Sequence, residues 1–414
     1  MKRKLNILFI VGSFPTISQT FIVNQIIYLL NQGHTVKILA KKRTNSPIQN
    51  QIEEYGLMQK VEYINISKSY LERFKTVFLS LFTSEKPGKW ELLKTLNPLL
   101  YRREALNLLA FFKVSWTLKF RDNFDIVHAH FAYNSDLFFR ARKVGFFKYS
   151  SLITTFHGFD MTPSDLNKNK SRYKILFDSQ TVITTNNEYG KSLVQKIRPN
   201  YKNIYLIPVS LDTNLFFPAP GKRKPEDKIH IVFCGRLIYW KGPHLFVEIA
   251  NQIINHRNIQ NVQFEIIGDG EERLIIENLI EKYNLKNFVN LRGALKQNEV
   301  KEILVKSHIF ISPGLTDKNG RAETQGLVIQ EAQAMELPVI VSDAGGMKYG
   351  VKDQETGYVL PKGDVKSFCD KVECLIKNPI IRYNMGEKAR QYIVEDFDIR
   401  PLGMKLEELY FKHL

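Results

Sequence analysis

Short, nearly continuous apolar runs alternate with longer stretches of helical periodicity over almost the whole chain. In the first half, residues 7–11, 35–40, 125–128, 152–156 and 181–184 are β-branched runs of strand length. In the second half, 229–234, 263–267, 308–312 and 338–342 repeat the pattern. Between them, 20–31, 243–255, 271–283 and 326–335 space their apolar residues as helices do. Apolar strands without polar alternation, separated by helices, predict parallel sheets covered on both faces. The rhythm restarts after 206–212 and the loop 217–227, which is rich in Pro, Gly and charge. The expected architecture is therefore α/β, with two doubly wound domains facing a central cleft. We place them at residues 1–209 and 210–392, followed by a terminal helical segment at 393–414. Ligands are expected at the carboxyl ends of the strands.

Composition narrows this only a little. With 414 residues, 44% hydrophobic and 24% charged, the chain is ordinary globular material. Three cysteines, Cys234, Cys369 and Cys374, make no disulfide framework and point to a reducing compartment. The basic start followed by an apolar stretch imitates a leader, but Asn6 interrupts it and Gly12 ends it, so a first strand is expected. No run of 18 apolar residues occurs, so no spanning helix is expected.

Charge is the uneven feature. Residues 1–210 carry 31 Lys and Arg against 14 Asp and Glu, whereas 211–414 carry 28 of each, so the whole net +17 sits in one half. Two domains facing different partners follow from that asymmetry. The stretch 65–121 holds 11 basic and 4 acidic residues with ten aromatics. Tyr70, Phe74, Val77, Phe78, Leu81 and Phe82 recur there at helical spacing, with Lys68, Arg73 and Lys75 beside them. A basic amphipathic helix of this kind is expected to touch an anionic membrane surface. The alternative is that its rings are core and its lysines a solvated face.

Several loops at strand ends carry candidate chemistry. Gly12 and Ser13 close the first predicted strand, where a glycine turn lets a phosphate or sugar approach backbone amides. Neither this turn nor Gly268-Asp-Gly270 is a G-x-G-x-x-G dinucleotide fingerprint. His157 follows an apolar run in Phe156-His-Gly-Phe-Asp160, with Asp160 in reach to orient it. His128 and His130 end another strand, and no further ligand stands at metal spacing. Arg236 and Lys241 flank a strand-to-helix turn as a clamp for two phosphates. Glu323 precedes a helix opened by Gly326 and Leu327, and Glu331 lies eight residues after Glu323, inside that helix. Free N–H groups at that helix start favour an anion. Asp396-Phe-Asp398 spells D-x-D, but its place before the terminal helix reads as an N-cap.

Taken in order, these segments resemble the retaining glycosyltransferases of family 4, with two Rossmann-like domains (the GT-B fold), and the exopolysaccharide and colanic-acid-type transferases in particular. The resemblance rests on Phe14-Pro-Thr-Ile-Ser-Gln-Thr-Phe21, Asp125-Ile-Val-His-Ala-His130, Phe156-His-Gly-Phe-Asp160, Gly235-Arg-Leu with Lys241-Gly242, Ile267-Gly-Asp-Gly270, and Glu323 with seven residues before Glu331. It implies an N-terminal acceptor-side domain and a C-terminal nucleotide-sugar-binding domain, with the last helix crossing back. Gly12 and Ser13 would lie near the donor diphosphate, with Gly268, Gly326 and Leu327 also on the donor side. Arg236 and Lys241 would hold its phosphates. His157, supported by Asp160, would contact the transferred sugar. Glu323 would bind sugar hydroxyls and stabilise positive charge, and Glu331 would bond the ribose. His128 and His130 are acceptor-side candidates. The resemblance also implies no cofactor and no metal, the nucleoside-diphosphate sugar being a substrate. Two departures occur: Gly345-Gly-Met-Lys-Tyr349 replaces the usual G-G-x-P-E, and Val209-Ser-Leu-Asp212 replaces N-G-V-D.

The expected activity is transfer of a hexosyl group, from a UDP-sugar, to a glycan or lipid-linked acceptor. The expected place is the cytoplasm or the inner face of the plasma membrane, with no nucleic acid as partner. An epimerase of the same fold, needing no acceptor, and a basic nucleic-acid-binding protein are the rival readings.

Overall fold

The computed structural model describes residues 3–16, 19–44, 50–67, 69–83, 89–120, 124–218 and 228–414. Lys68, Ile17 and Ser18 of the segments above lie outside the described residues, as do the side chains of Leu81 and Phe82.

Among the described residues, seven strands form the first sheet: β1 (Asn6–Phe14), β2 (Thr35–Arg43), β3 (Val61–Tyr63), β4 (Ile126–His130), β5 (Ser151–Phe156), β6 (Val182–Thr185) and β7 (Ile204–Leu206). Six form the second: β8 (Ile229–Cys234), β9 (Val262–Ile267), β10 (Val289–Gly293), β11 (Ile309–Ser312), β12 (Val339–Ser342) and β13 (Gly357–Leu360). Their orders are β3-β2-β1-β4-β5-β6-β7 and β10-β9-β8-β11-β12-β13, and neighbouring strands pair in parallel. Each sheet thus grows in two directions from its first strand, and its switch point falls between β1 and β4 or between β8 and β11. Crevices form outside the carboxyl ends of strands at such points.

Helices cover both faces. Those bearing on function are α1 (Thr20–Asn31), α2 (Tyr70–Thr83), α3 (Leu109–Ser115), α4 (Asp136–Val144), α5 (Glu188–Ile197), α6 (Pro243–Asn251), α7 (Leu327–Ala334) and α8 (Ile399–Lys412). The central strands are buried on both faces: Ile7 to Val11 and Val262 to Ile266 are all inaccessible or nearly so, and the polar side chains of β9, Gln263 and Glu265, are bonded by Lys228 and by Asn290 and Arg292. No helix among the described residues is long and apolar enough to cross a membrane.

Helix α8 ties the chain end to the first sheet. Leu406, Leu409 and Tyr410 enter the core formed by β1 and α1, and Glu407 bonds His34 at 3.2 Å. Asp398 caps α8 by accepting from Arg400 N–H and also accepts from the Thr213 hydroxyl. The D-x-D segment therefore has a structural role.

Two expectations need correction. The first strand does not turn at Gly12; it continues to Phe14, because Ser13 and Phe14 still pair with Lys42 and Arg43 of β2. The aromatic stretch 65–121 divides between both of its readings. Phe111, Phe112 and Trp116 are buried in the core, while Tyr70, Phe74, Phe78 and Trp90 are 49–67% exposed.

Candidate active site

A cavity of about 370 Å³ opens between the two sheets, lined by Phe21, Phe131 and His157 on one side and by Arg236, Lys241 and Glu323 on the other. Its position follows from the carboxyl ends of β5, β8 and β11. The domains are pinned together beside it. Thr324 Oγ1 donates to the His157 carbonyl at 3.1 Å, and Asn187 Nδ2 donates to the Thr324 carbonyl at 2.6 Å. Gln325 both accepts from Val209 N–H and donates to its carbonyl, at 2.7 and 2.9 Å. Glycine at 158 makes this approach possible: φ is +107°, and a Cβ there would stand 2.4 Å from Thr324 Cγ2.

Glu323 precedes α7, and its carboxylate is paired with the Lys241 ammonium, both side chains being under 20% exposed. Its Oε1 also accepts from Thr324 N–H at 3.1 Å. Burial pushes this carboxyl up, but the Lys241 charge and hydrogen bond, with backbone N–H donors, outweigh burial and hold it below its usual range. Glu323 is therefore ionised at neutral pH. The altered turn 345–349 keeps its hold on this loop, since Gly346 N–H donates to the Glu323 carbonyl at 2.7 Å. Gly326, in the left-handed region, opens α7 and lines the cavity together with Leu327. The first N–H groups of a helix have no intrahelical acceptor, so this end presents positive charge to the cavity.

Glu331 differs. It is 9% exposed and, among the described residues, no side chain or backbone donor bonds its carboxylate. Burial pushes its carboxyl up to about 7. A carboxyl raised in the folded state contributes its stability below the ordinary value and loses it as pH rises through the folded one. Glu331→Gln should therefore stabilise its domain at pH 8 by about 3 kcal/mol and by much less at pH 5. Urea unfolding at the two pH values checks this; equal shifts at both would contradict it.

The histidines form a stack. His157 Nε2 lies 3.0 Å from His130 Nδ1, while His130 Nε2 is buried with no partner. An orphaned lone pair costs less there than an orphaned N–H, which assigns the proton of His130 to Nδ1. His157 then accepts at Nε2 and presents Nδ1–H as a donor. Phe21 and Phe131 hold its ring, with centroids 4.7 and 4.6 Å away. Burial lowers His157 and His128 to about 3, and burial with the neighbouring histidines takes His130 well below its usual range. All three are neutral at physiological pH.

Three expectations change at this point. His128 is fully buried, its ring bonded to Tyr410 Oη and Thr155 Oγ1, both at 2.6 Å. His130 is fully buried too. Neither lines the cavity: Tyr410 of α8 packs on His128, and Phe9, Phe21 and His157 enclose His130. Asp160 does not bond the His157 ring. It accepts instead from the backbone N–H groups of Ala132, His157 and Gly158, at 2.7 to 3.1 Å. Its support for His157 runs through the loop.

His157, Arg236, Lys241, Glu323, Gly326 and Leu327 all line the cavity; Gly12, Ser13, Gly268 and Glu331 are not on its wall. Gly268 acts one layer back: its φ is +141°, and a Cβ there would meet the Gly235 carbonyl at 1.9 Å, so only glycine lets β9 approach the Arg236 loop. Phe21, Phe131, Trp240 and Arg321 also line the cavity, and none of them was among the candidate site residues read from the sequence. The Arg321 guanidinium stacks 4.3 Å from the Trp240 ring centroid and bonds Asp317 at 2.6 Å. Among the described residues, no three His, Cys, Asp or Glu side chains are grouped to hold a metal ion.

This arrangement can be set beside known proteins. Residues 219–392 match the family described as glycosyl transferases group 1. The chain is 30% identical over 308 residues to the Escherichia coli UDP-Gal:alpha-D-GlcNAc-diphosphoundecaprenol alpha-1,3-galactosyltransferase, covering 70% of this chain and 76% of that one. It belongs to the group 1 glycosyltransferases. A second relative of the family, the putative colanic acid biosynthesis glycosyltransferase WcaL of E. coli K12, is 24% identical over 97% of this chain and 98% of its own. Among solved structures, a glycosyltransferase from Rickettsia africae superposes with a TM-score of 0.71 at 18% identity, covering 99% of both chains. Anabaena HepE in complex with UDP and glucose gives 0.68 at 14% identity, covering 99% of this chain and all of its own. The fold is GT-B, as in these structural neighbours.

Proposed function

We propose that this glycosyltransferase is a retaining, metal-independent hexosyltransferase acting on a UDP-sugar and a glycan or lipid-linked acceptor in polysaccharide biosynthesis. The observation that carries the proposal is the ionised Glu323, just before α7 and paired with Lys241, in the same cavity as His157. A donor diphosphate would take Lys241, Arg236 and the α7 N-terminus as its cationic seat. In taking Lys241 it would release Glu323 towards the transferred sugar, where positive charge develops as the glycosidic bond breaks. His157 Nδ1–H would donate to a sugar hydroxyl. The acceptor oxygen would bond the anomeric carbon from the face the diphosphate leaves, and its proton would pass to the departing phosphate oxygen, so the configuration is kept without a carboxylate nucleophile. With Arg236, Lys241 and the helix end supplying the charge, no metal is required. Glu331, one turn along α7, would take a ribose hydroxyl. The UDP in the HepE structure and the UDP-Gal donor named for the E. coli relative support a UDP-sugar.

The same proposal places the enzyme on the cytoplasmic side, held peripherally at an anionic membrane surface through 65–121. Its support is the exposure of Tyr70, Phe74, Phe78 and Trp90 in the basic half. Basic residues near such a surface attract it by about 1 kcal/mol each.

Arg236→Ala and Lys241→Ala test the donor seat. Each should weaken UDP more than uridine, by about 1.5–3 kcal/mol in calorimetry. Lys241→Ala should cost the more, because it also leaves Glu323 buried without its counter-charge. Equal losses for UDP and uridine would remove both residues from the phosphate seat.

A further inference from the structure

A second cavity, of about 700 Å³, lies in the basic domain, lined by Lys41, Lys42, Lys113 and Asp136 with Ile64 and Leu137 as apolar wall. Lys41 and Lys42 end β2, so this cavity opens at the same carboxyl edge of the sheet as the donor site. A chain of ring contacts links the two. Tyr133 stacks on Phe131 with centroids 5.9 Å apart, and Phe131 is the ring that meets His157 in the donor cavity. Gly12 packs against the same ring: a Cβ on it would lie 3.4 Å from Tyr133 Oη.

The electrostatics of this cavity are unbalanced. Its carboxylates are already engaged, Asp136 with Arg140 at 2.6 Å and neighbouring Glu104 with Lys113 at 2.7 Å and with Arg140. Lys41 and Lys42 have no carboxylate within ion-pair distance among the described residues; the Lys41 ammonium stands 5.3 Å over the Tyr133 ring. Burial lowers Lys41 to about 8; Asp136 opposes this, and Lys113, Arg140 and Arg172 add to it. A partly buried lysine among like charges gains its full charge when an anion arrives. The rim leads from Ile66 and Ser67 to α2, where Tyr70, Leu71 and Phe74 are exposed.

We propose that this cavity binds a phosphate ester carried by the acceptor, with Lys41 and Lys42 as its principal ligands. Calling the phosphate the acceptor's rests on the transferase reading above; the anion site itself does not. The cations seat the phosphate, the Tyr133 and Phe131 rings connect the Lys41 side of the cavity to the donor cavity, and α2 offers a surface to an apolar chain beyond it.

The experiment is calorimetry of phenyl phosphate into the full chain at pH 8, with the nucleotide site saturated by UDP. A phosphate monoester is almost fully ionised at that pH, so proton uptake, read as a dependence of heat on buffer ionisation enthalpy, comes from the protein. One additional site with net proton uptake is expected. Lys41→Met should weaken it at least ten-fold while leaving UDP affinity unchanged, which also shows that the variant folds. Lys41→Arg should restore binding without proton uptake. No binding once UDP fills its site, or Lys41→Met binding as tightly as the parent, would overturn the proposal. Octyl phosphate distinguishes the source: tighter binding than phenyl phosphate, lost in Phe74→Ser, supports a membrane-anchored phosphate, and equal binding supports a soluble phosphorylated acceptor. If UDP itself does not bind, the donor reading fails, and phenyl phosphate titrated without it still decides this site.

Discussion

Glu323→Gln should lower kcat by about 10²–10³ while UDP affinity changes little, because the lost charge acts where the transition state becomes positive. The geometry makes the amide a specific test. Glu323 is ionised because Lys241 and backbone N–H groups outweigh its burial, and glutamine keeps its size while losing that charge. The substitution also frees Lys241 for the diphosphate, so UDP binding is expected to hold or tighten. Separate measurement of kcat for donor turnover and of the UDP dissociation constant checks both halves. A variant turning over near the parental rate would remove Glu323 from the chemistry; one that loses UDP binding instead would make it a donor-binding residue only.

Acid should unfold the basic domain steeply. His128 and His157 titrate at about 3 in the folded chain, and His130 also lies well below the ordinary 6.5. Their contribution is present above 6.5 and is lost as pH falls, since the unfolded chain binds three protons that the folded one refuses. Asp160 runs the other way: burial raises it from 3.8 to about 6 despite its backbone bonds, so between those values the folded chain holds one extra proton. The net excess of two protons on the unfolded side gives a loss of about 2.7 kcal/mol per pH unit near pH 5. Urea unfolding from pH 7 to 5, followed by the fluorescence of buried Trp116, measures this slope. His130→Gln should reduce the slope by about one proton's worth. A flat profile across that interval would mean that the stack is not buried and neutral.

The parts of the fold legible in the sequence are those whose physics is local. Central segments such as Ile7 to Val11 of β1 and Val339–Ser342 are buried on both faces and read as apolar runs. Three of the four edge strands do not. Val61–Tyr63, Ile204–Leu206 and Val289–Gly293 are half-buried, carry polar residues, and were not anticipated. Helix 243–255 was anticipated at its full length, but its last turn, Gln252–His256, widens into a π-helical turn.

The site divides in the same way. His157, Arg236, Lys241 and Glu323 follow strands or precede a helix, positions that the alternation of elements fixes, and they meet in one cavity. The environment of His128 could not be read in the same manner, because its partner, Tyr410, lies 282 residues away on a helix that crosses between domains. Nothing local marks Asp160 as a backbone ligand rather than a partner of the ring. The aromatics of 65–121 illustrate the limit of periodicity: spacing identified a helix with Tyr70 and Phe74, but packing decided that Trp116 is core and Trp90 surface.

The central claim is retaining transfer from a nucleoside-diphosphate sugar in the cleft beside Glu323. Proton NMR of the sugar released from an α-linked UDP-hexose, followed from the first turnovers in the absence of acceptor, tests it most directly. The donor is whichever UDP-hexose raises the melting temperature. Water entering from the face that the diphosphate leaves predicts that the α-anomer appears first, more than a hundred-fold more slowly in Glu323→Gln, with the β-anomer growing only by later mutarotation. The β-anomer appearing first would contradict the account.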